Sequence, residues 1–367
     1  MVANRNAFAT FPSLASEAVG TQPLPFVLEA LSETSEASRT ELPGWIAQEI
    51  DWLETHLLAH GAILLRGFHS LRTAEDFEAV IGQLSTELLD YAGGNTPRSA
   101  VSGKVLTSTD APDHLTIGLH QEMSYLEPSP NFPDPTPDRV AFFCQVAPGS
   151  GGQTPICDMR VVYKRLPVDL VQRFESQGIM LTRQLPATKL AGYEVTWPTV
   201  LGSSDRVEAE DFAQQRGWRI EWTSDGGARV FQRPSPVVKS HPVTGEMVWF
   251  NQAHLLHKAY APWTTDFLGP SDEQKREAER QRGSLSSRFF FHTTHADGSE
   301  LRISDLECIR RVIDETMVMF DWQESDVLIC DNKLVAHGRQ PYQPPRKILA
   351  ALAANRPASK TVPDGGR

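Results

Sequence analysis

Long apolar runs are missing from this sequence. None approaches the roughly 20 residues that a membrane-crossing helix needs, so no helical membrane span is expected. The opening "MVANRNAFATFPSLASEAVG" holds a single arginine and no continuous apolar stretch, which argues against a secretory signal. Basic charge is also in deficit: 35 Lys and Arg stand against 46 Asp and Glu, a net charge of −11. A nucleic-acid or anionic-membrane partner is therefore not expected. The four cysteines, Cys144, Cys157, Cys308 and Cys330, are widely spaced and fit no zinc pattern. They read as reduced thiols of a cytoplasmic protein, with Cys144 and Cys330 inside apolar strand-like runs. There is no internal repeat.

What is present suits a globular domain. Hydrophobic residues make up 40% and charged residues 22% of 367 positions, enough chain to bury a large core. Ile46, Ile50, Leu53 and Leu57 fall at helical spacing, with Gly61 placed to end the helix. "AILLRGF" follows as a buried strand. Phe77, Val80, Ile81 and Leu84 mark a second helix. Beyond it "RVAFFCQVAP", "QTPIC", "IMLTRQL", "RIEW", "ARVFQ", "EMVWFNQ", "RFFFHTTHADG", "DVLIC" and "RKILAALAANR" read as strands broken by Gly, Pro and Asp. "DMRVVYKRLPVDLVQRFESQG" reads as helical. "SDLECIRRVIDETM" is a late helix, with Ser304 and Glu307 as a capping box. Many short strands with a few helices indicate a mainly β sandwich or barrel with helical decoration. One domain over 26–355 is expected, with a loosely ordered 1–25, a polar insertion or linker at 265–285 and a disordered tail at 356–367.

The chemistry begins at "GLHQEMSYLEP". His120 and Glu122 are two apart, and on a strand both would face one side. They form either a polar pair or half of a metal site. Among eleven histidines, His254 with His257 and His292 with His295 read as polar loop residues. His337 differs, because an apolar strand runs into it through "DNK". Eight residues with three prolines then lead to Arg346. That arrangement predicts that the chain folds back and sets His337 and Arg346 on neighbouring antiparallel strands. Two imidazoles and one carboxylate on one face make the facial triad of non-haem Fe(II) oxygenases. A fixed arginine nearby is what a dicarboxylate cosubstrate needs. Zinc is less suited, since a His-Glu-x-x-His helix is absent.

These blocks, with "LLRGF", "YAGGNTPR", "LTSTDAP", "GSGGQTPICDMRVVYKRL", "WFNQAH" and "HGRQPYQPPRK", make the sequence similar to the taurine dioxygenase (TauD/TfdA) superfamily of Fe(II)/2-oxoglutarate-dependent oxygenases. The branch it resembles includes the syringomycin biosynthesis protein and clavaminate synthase. The resemblance implies a double-stranded β-helix (jelly-roll) core, with His120, Glu122 and His337 as iron ligands. It implies Thr154 and Arg346 as the holders of the distal carboxylate of 2-oxoglutarate. Glu122 departs from the commoner aspartate and points to the clavaminate synthase-like branch; its presence disfavours halogenation. The implied reaction consumes O2 and 2-oxoglutarate, releases succinate and CO2, and hydroxylates a small amino acid or amino-acid-derived unit, free or carrier-bound, in natural-product biosynthesis. Desaturation or ring closure with the same cofactors, and a non-catalytic metal-binding protein on the same fold, are the alternatives. Arg98 is the candidate anchor for a substrate carboxylate, or else a turn arginine. Tyr125 either lines the pocket or packs, and Asn251 either faces the pocket or orders its loop.

Overall fold

The computed structural model describes residues 8–11, 23–30, 41–91, 98–129, 135–189, 195–232, 235–259 and 290–354. The expected insertion at 265–285 and tail at 356–367 lie outside them. The 1–25 stretch, expected to be loosely ordered, contributes a strand all the same: Phe8–Phe11 pairs antiparallel with Phe26–Ala30.

The largest sheet has nine strands. In order they are Phe8–Phe11, Phe26–Ala30, Ala62–Arg66, Val327–Asp331, Arg139–Val146, Lys347–Ala354, Val105–Thr107 and Ala100–Ser102, with Glu87–Leu89 also paired to Lys347–Ala354. Its central strands are apolar at almost every position because both faces are covered. Alternation along Ala62–Arg66 sends Ile63 and Leu65 to one side, where they pack with Leu53, Leu57, Phe77 and Ile81 of the helices Ile50–His60 and Ala74–Leu84. Ala62 and Leu64 face the other side and join Val140, Phe142, Ile156 and Val335 in the main core.

Local chemistry fixes one end of each of these two helices. Gly61, at φ 81°, closes Ile50–His60 and donates its N–H to the Leu57 carbonyl. Thr73 and Asp76 make a reciprocal capping box that starts Ala74–Leu84. The late helix forms as expected, but its predicted capping box does not. It spans Ile303–Thr316 with Arg302 at the N-cap and no side-chain cap, so Ser304 already lies inside the first turn. The stretch read as helical after "QTPIC" forms two helices, Met159–Arg165 and Val168–Gln177, because Pro167 breaks it.

Opposite the large sheet stand a three-stranded sheet, Ile156–Asp158, Val335–Arg339 and Ile117–His120, and a four-stranded one, Arg219–Trp222, Ala228–Phe231, Ile179–Leu185 and Phe291–His295. Side chains from all three sheets share the main core. The result is a mainly β jelly-roll core with eight helices among the described residues and no closed barrel. No described helix is long and apolar enough to cross a membrane. Cys144, Cys157 and Cys330 are buried, and all four cysteines are free.

Candidate active site

His120 is the last residue of its strand, and its register partner across the sheet is His337. The two rings are 4.6 Å apart between centroids. Glu122 reaches them by a different route from the predicted strand alternation. The strand stops at His120, and Glu122 opens a turn in which Met123 takes φ 57°. Asn332 holds that turn. Its Oδ1 accepts from the Glu122 N–H at 2.6 Å, and its Nδ2 donates to the Glu122 carbonyl at 3.0 Å and to that of Pro137 at 2.9 Å. The Glu122 carboxylate thereby lies 3.7 Å from His337 Nε2. One ligand-type atom from each of His120, Glu122 and His337 falls within 4.8 Å of the others. His120 Nδ1 donates to the Gly118 carbonyl at 2.8 Å, which leaves Nε2 with a lone pair.

The space beside this cluster is lined by His120, His337, Phe142, Thr154, Arg339 and Arg346, among others. Arg346 does not come from a strand next to that of His337. It precedes Lys347–Ala354 in the nine-stranded sheet, while His337 belongs to the three-stranded one, so the two meet across the interior. The prolines after His337 carry the chain from one sheet to the other instead of turning a hairpin. Arg346 Nε donates to the Gly152 carbonyl at 3.0 Å. Gly152 sits at φ 72°, and a Cβ there would lie 3.0 Å from Arg346 Nε and 2.9 Å from Pro148 Cγ. Only glycine allows that approach. Thr154 Oγ1 accepts from Trp322 Nε1 at 3.1 Å.

Residues 26–352 match the family described as taurine catabolism dioxygenase TauD, TfdA family. The chain belongs to the TauD/TfdA family of Fe(II)/2-oxoglutarate-dependent oxygenases. It is 31% identical over 343 residues to a clavaminate synthase-like protein of Arabidopsis thaliana, covering 90% of this chain and 94% of that one. It is 30% identical over 328 residues to the dapdiamide synthesis protein DdaC of Enterobacter agglomerans, covering 89% and 91%. Among solved structures, PvcB of Pseudomonas aeruginosa aligns with a TM-score of 0.50 and 16% identity, over 96% of this chain and 93% of that one, and shares the fold.

In this dioxygenase the charge at the centre is balanced inside the protein. Arg98 makes a buried ion pair with Glu122 and lies 4.5 Å above the Tyr91 ring. Arg98 is therefore not an exposed turn arginine: it lines the same space as His120 and His337, with one nitrogen paired with Glu122 and its Nε and Nη1 without a hydrogen-bond partner among the described residues. Burial alone would raise the Glu122 carboxyl, but the Arg98 guanidinium and the two imidazoles outweigh it and hold the acid well below the usual range. Burial, with His337 beside it, pushes His120 down to about 4. Burial raises the Tyr125 phenol well above its ordinary value. Desolvation, followed by the neighbouring Arg339, lowers Arg346 to about 10, which leaves it cationic at neutral pH. Arg339 itself donates to the carbonyls of Ala111, Pro112 and Leu115 and fixes the wall of the pocket.

Two other sequence candidates resolve differently. Asn251 is committed to its loop, with Nδ2 donating to the Val237 carbonyl at 3.1 Å and Oδ1 accepting from Ala253 N–H at 3.0 Å. It does not face the pocket because both ends of its amide serve backbone. Tyr125 packs against the main core and against Leu181, Leu256 and Phe291. His257 and His292, taken apart as loop residues, converge with Glu300. His257 Nδ1 accepts from the Ala259 N–H at 3.2 Å, which places its proton on the Nε2 facing Glu300. Glu300 also pairs with Lys258 at 2.6 Å. The cluster reads as a polar staple.

Proposed function

We propose that this dioxygenase hydroxylates a small amino acid or amino-acid-derived unit in natural-product biosynthesis, with His120, Glu122 and His337 holding Fe(II) and Thr154 and Arg346 holding 2-oxoglutarate. The observation that carries the reading is the convergence of two imidazoles and one carboxylate on a space that Arg346 also enters. The donor set suits iron: neutral His120 offers Nε2, Glu122 stays ionised, and three positions on the metal remain for other ligands. Arg346 has no carboxylate partner among the described residues, which fits a guanidinium reserved for an incoming acid group.

When bound, iron and the keto acid supply the oxidising chemistry, with O2 consumed and succinate and CO2 released. The chain's own part is positional. Asn332 fixes the Glu122 backbone, the Gly118 carbonyl fixes the His120 tautomer, and Arg339 ties down the loop at 111–115. Arg98 neutralises Glu122 while no metal shares the carboxylate. The amino-acid class rests on similarity to DdaC, a relative named for dapdiamide synthesis.

The test is succinate release from the protein with Fe(II), 2-oxoglutarate, O2 and a panel of free and carrier-bound amino acids, followed by product mass. A gain of one oxygen is the expected result. A loss of two hydrogens would turn the reading to desaturation or ring closure. Anaerobic addition of Fe(II) and 2-oxoglutarate should give a weak visible charge-transfer band, absent in His120→Ala, Glu122→Ala and His337→Ala. An undiminished band in His337→Ala would remove that residue from the site.

A further inference from the structure

Arg183 sits in the middle of Ile179–Leu185 with no exposed surface, yet none of its three guanidinium nitrogens has a hydrogen-bond partner among the described residues. The Phe291 ring, 5.7 Å from its Cζ, offers it a π face. That contact offsets little of the cost of burying an unpaired cation. A second orphan lies beside it. Gln232 is 3% exposed, and neither its Nε2 nor its Oε1 has a partner among the described residues. Thr182 pairs with Phe231 and the Gln232 N–H donates to the Leu181 carbonyl, so Gln232 stands opposite Leu181. Leu181 and Arg183 share a face, and register puts the Gln232 amide on that face, diagonal to the guanidinium.

This face adjoins the candidate iron ligands. Leu181 and Phe291 pack with Leu256 and Tyr125, and Tyr125 is three residues past Glu122. Leu255 presses on Gly118, two residues before His120, where a Cβ would come within 2.5 Å of it. Two buried polar groups with five unsatisfied atoms thus stand on the face that packs against Tyr125, whose phenol feels both Arg183 and Glu122, whereas the predicted anchor, Arg98, already has one nitrogen paired with Glu122.

We propose that Arg183 and Gln232 form the subsite for the substrate's carboxylate: the guanidinium takes the two oxygens, and the amide takes the adjoining polar group. The inference deepens the proposed function and rests on it. A planar guanidinium matches a carboxylate through paired N–H donors, and a carboxamide cannot replace that acid without loss.

The test uses full-length protein with Fe(II) and 2-oxoglutarate under anaerobic conditions, titrated calorimetrically with proteinogenic L-amino acids and the α-carboxamide of each that binds. Wild-type protein should bind the acid and discriminate against its amide. Arg183→Met should weaken the acid by about a hundredfold or more, leave the amide and 2-oxoglutarate unchanged, and so abolish the discrimination. Gln232→Leu should weaken the acid by about tenfold. Arg183→Met should also raise the melting temperature of the ligand-free protein, because it removes an unpaired buried charge. Equal wild-type affinity for acid and amide would overturn the subsite. So would full affinity for the acid in Arg183→Met, or a lowered melting temperature, which would mean that Arg183 is paired structurally. If 2-oxoglutarate binds but no amino acid does, the subsite falls and the dioxygenase reading stands. If 2-oxoglutarate does not bind, the underlying reading fails first.

Discussion

Arg98 and Glu122 form an ion pair in which each side chain is only 4% exposed. The pair couples the stability of the metal-free protein to the candidate iron site, because the same carboxylate serves both. Breaking a buried pair from one side leaves a charge without compensation and costs about 3–5 kcal/mol. Arg98→Gln should therefore destabilise the metal-free protein by about that amount. Fe(II) or Mn(II) should restore more stability to the variant than to wild type, since the ion supplies the missing positive charge. Melting temperatures with and without metal measure this. Equal metal-induced shifts in both proteins would show that Glu122 does not reach the ion.

Asn332 gives a second expectation. It has no exposed surface, and its amide makes three hydrogen bonds that hold the Glu122 turn. Asn332→Ala orphans the Glu122 N–H and carbonyl at about 1–3 kcal/mol for each buried group left unpaired. Metal affinity should fall along with stability. A variant that melts lower but binds metal as tightly as wild type would separate the turn from the site.

How far the sequence could be read depends on which contacts are local. The strands "AILLR" and "VLICD" were legible because covering both faces of a sheet demands continuous apolar runs. The Gly61 stop and the Ala74–Leu84 start follow from chemistry within a few residues. The spacing of His120 and Glu122 suggested that the two side chains converge; they do, but through a turn and not through strand alternation. Asn332 was hidden because its partner is 210 residues away, and the only trace was a polar "DNK" at the end of a buried strand. Arg98 could be suspected of meeting an anion, but only three-dimensional register shows that the anion is Glu122. Arg183 read as an ordinary strand residue, because a pattern of alternating apolar positions does not announce a buried charge.

His254 carries a pH expectation. It is 3% exposed, and its Nε2 lies 3.0 Å from the Leu119 carbonyl on the strand that ends at His120. Burial, the leading cause, lowers it to about 4, against 6.5 for the unfolded chain. Between those values the unfolded state binds the proton and the folded state does not, so stability rises with pH. The contribution is fully present above pH 6.5, is lost as pH falls toward 4, and amounts to about 3 kcal/mol. Urea midpoints from pH 7 to 4 should fall in wild type and fall less steeply in His254→Gln. Parallel slopes would show that His254 is protonated in the folded protein.

The cosubstrate pocket gives the last expectation. Arg346 is a half-buried cation whose Nε is held by the Gly152 carbonyl, in a cradle that the absence of a Cβ at Gly152 makes room for. Its other nitrogens have no carboxylate among the described residues, and Arg339 nearby makes the pocket more positive. A distal carboxylate of 2-oxoglutarate entering this space exchanges water for a charge-assisted pair, and truncating one partner of such a pair costs about 2–5 kcal/mol. Arg346→Ala should therefore weaken the keto acid by about thirtyfold or more. Thr154 already accepts from Trp322, so its hydroxyl proton is the free part of the group and can donate to the same carboxylate. Thr154→Val removes that donor and also orphans the indole N–H, at about 1–2 kcal/mol together. Titration of 2-oxoglutarate into the Fe(II)-loaded variants without O2 orders the two effects, with Arg346 the larger. Wild-type affinity in Arg346→Ala would move the cosubstrate site elsewhere, whereas a larger loss in Thr154→Val would make the Trp322 hydrogen bond, and not the guanidinium, the main support of the pocket.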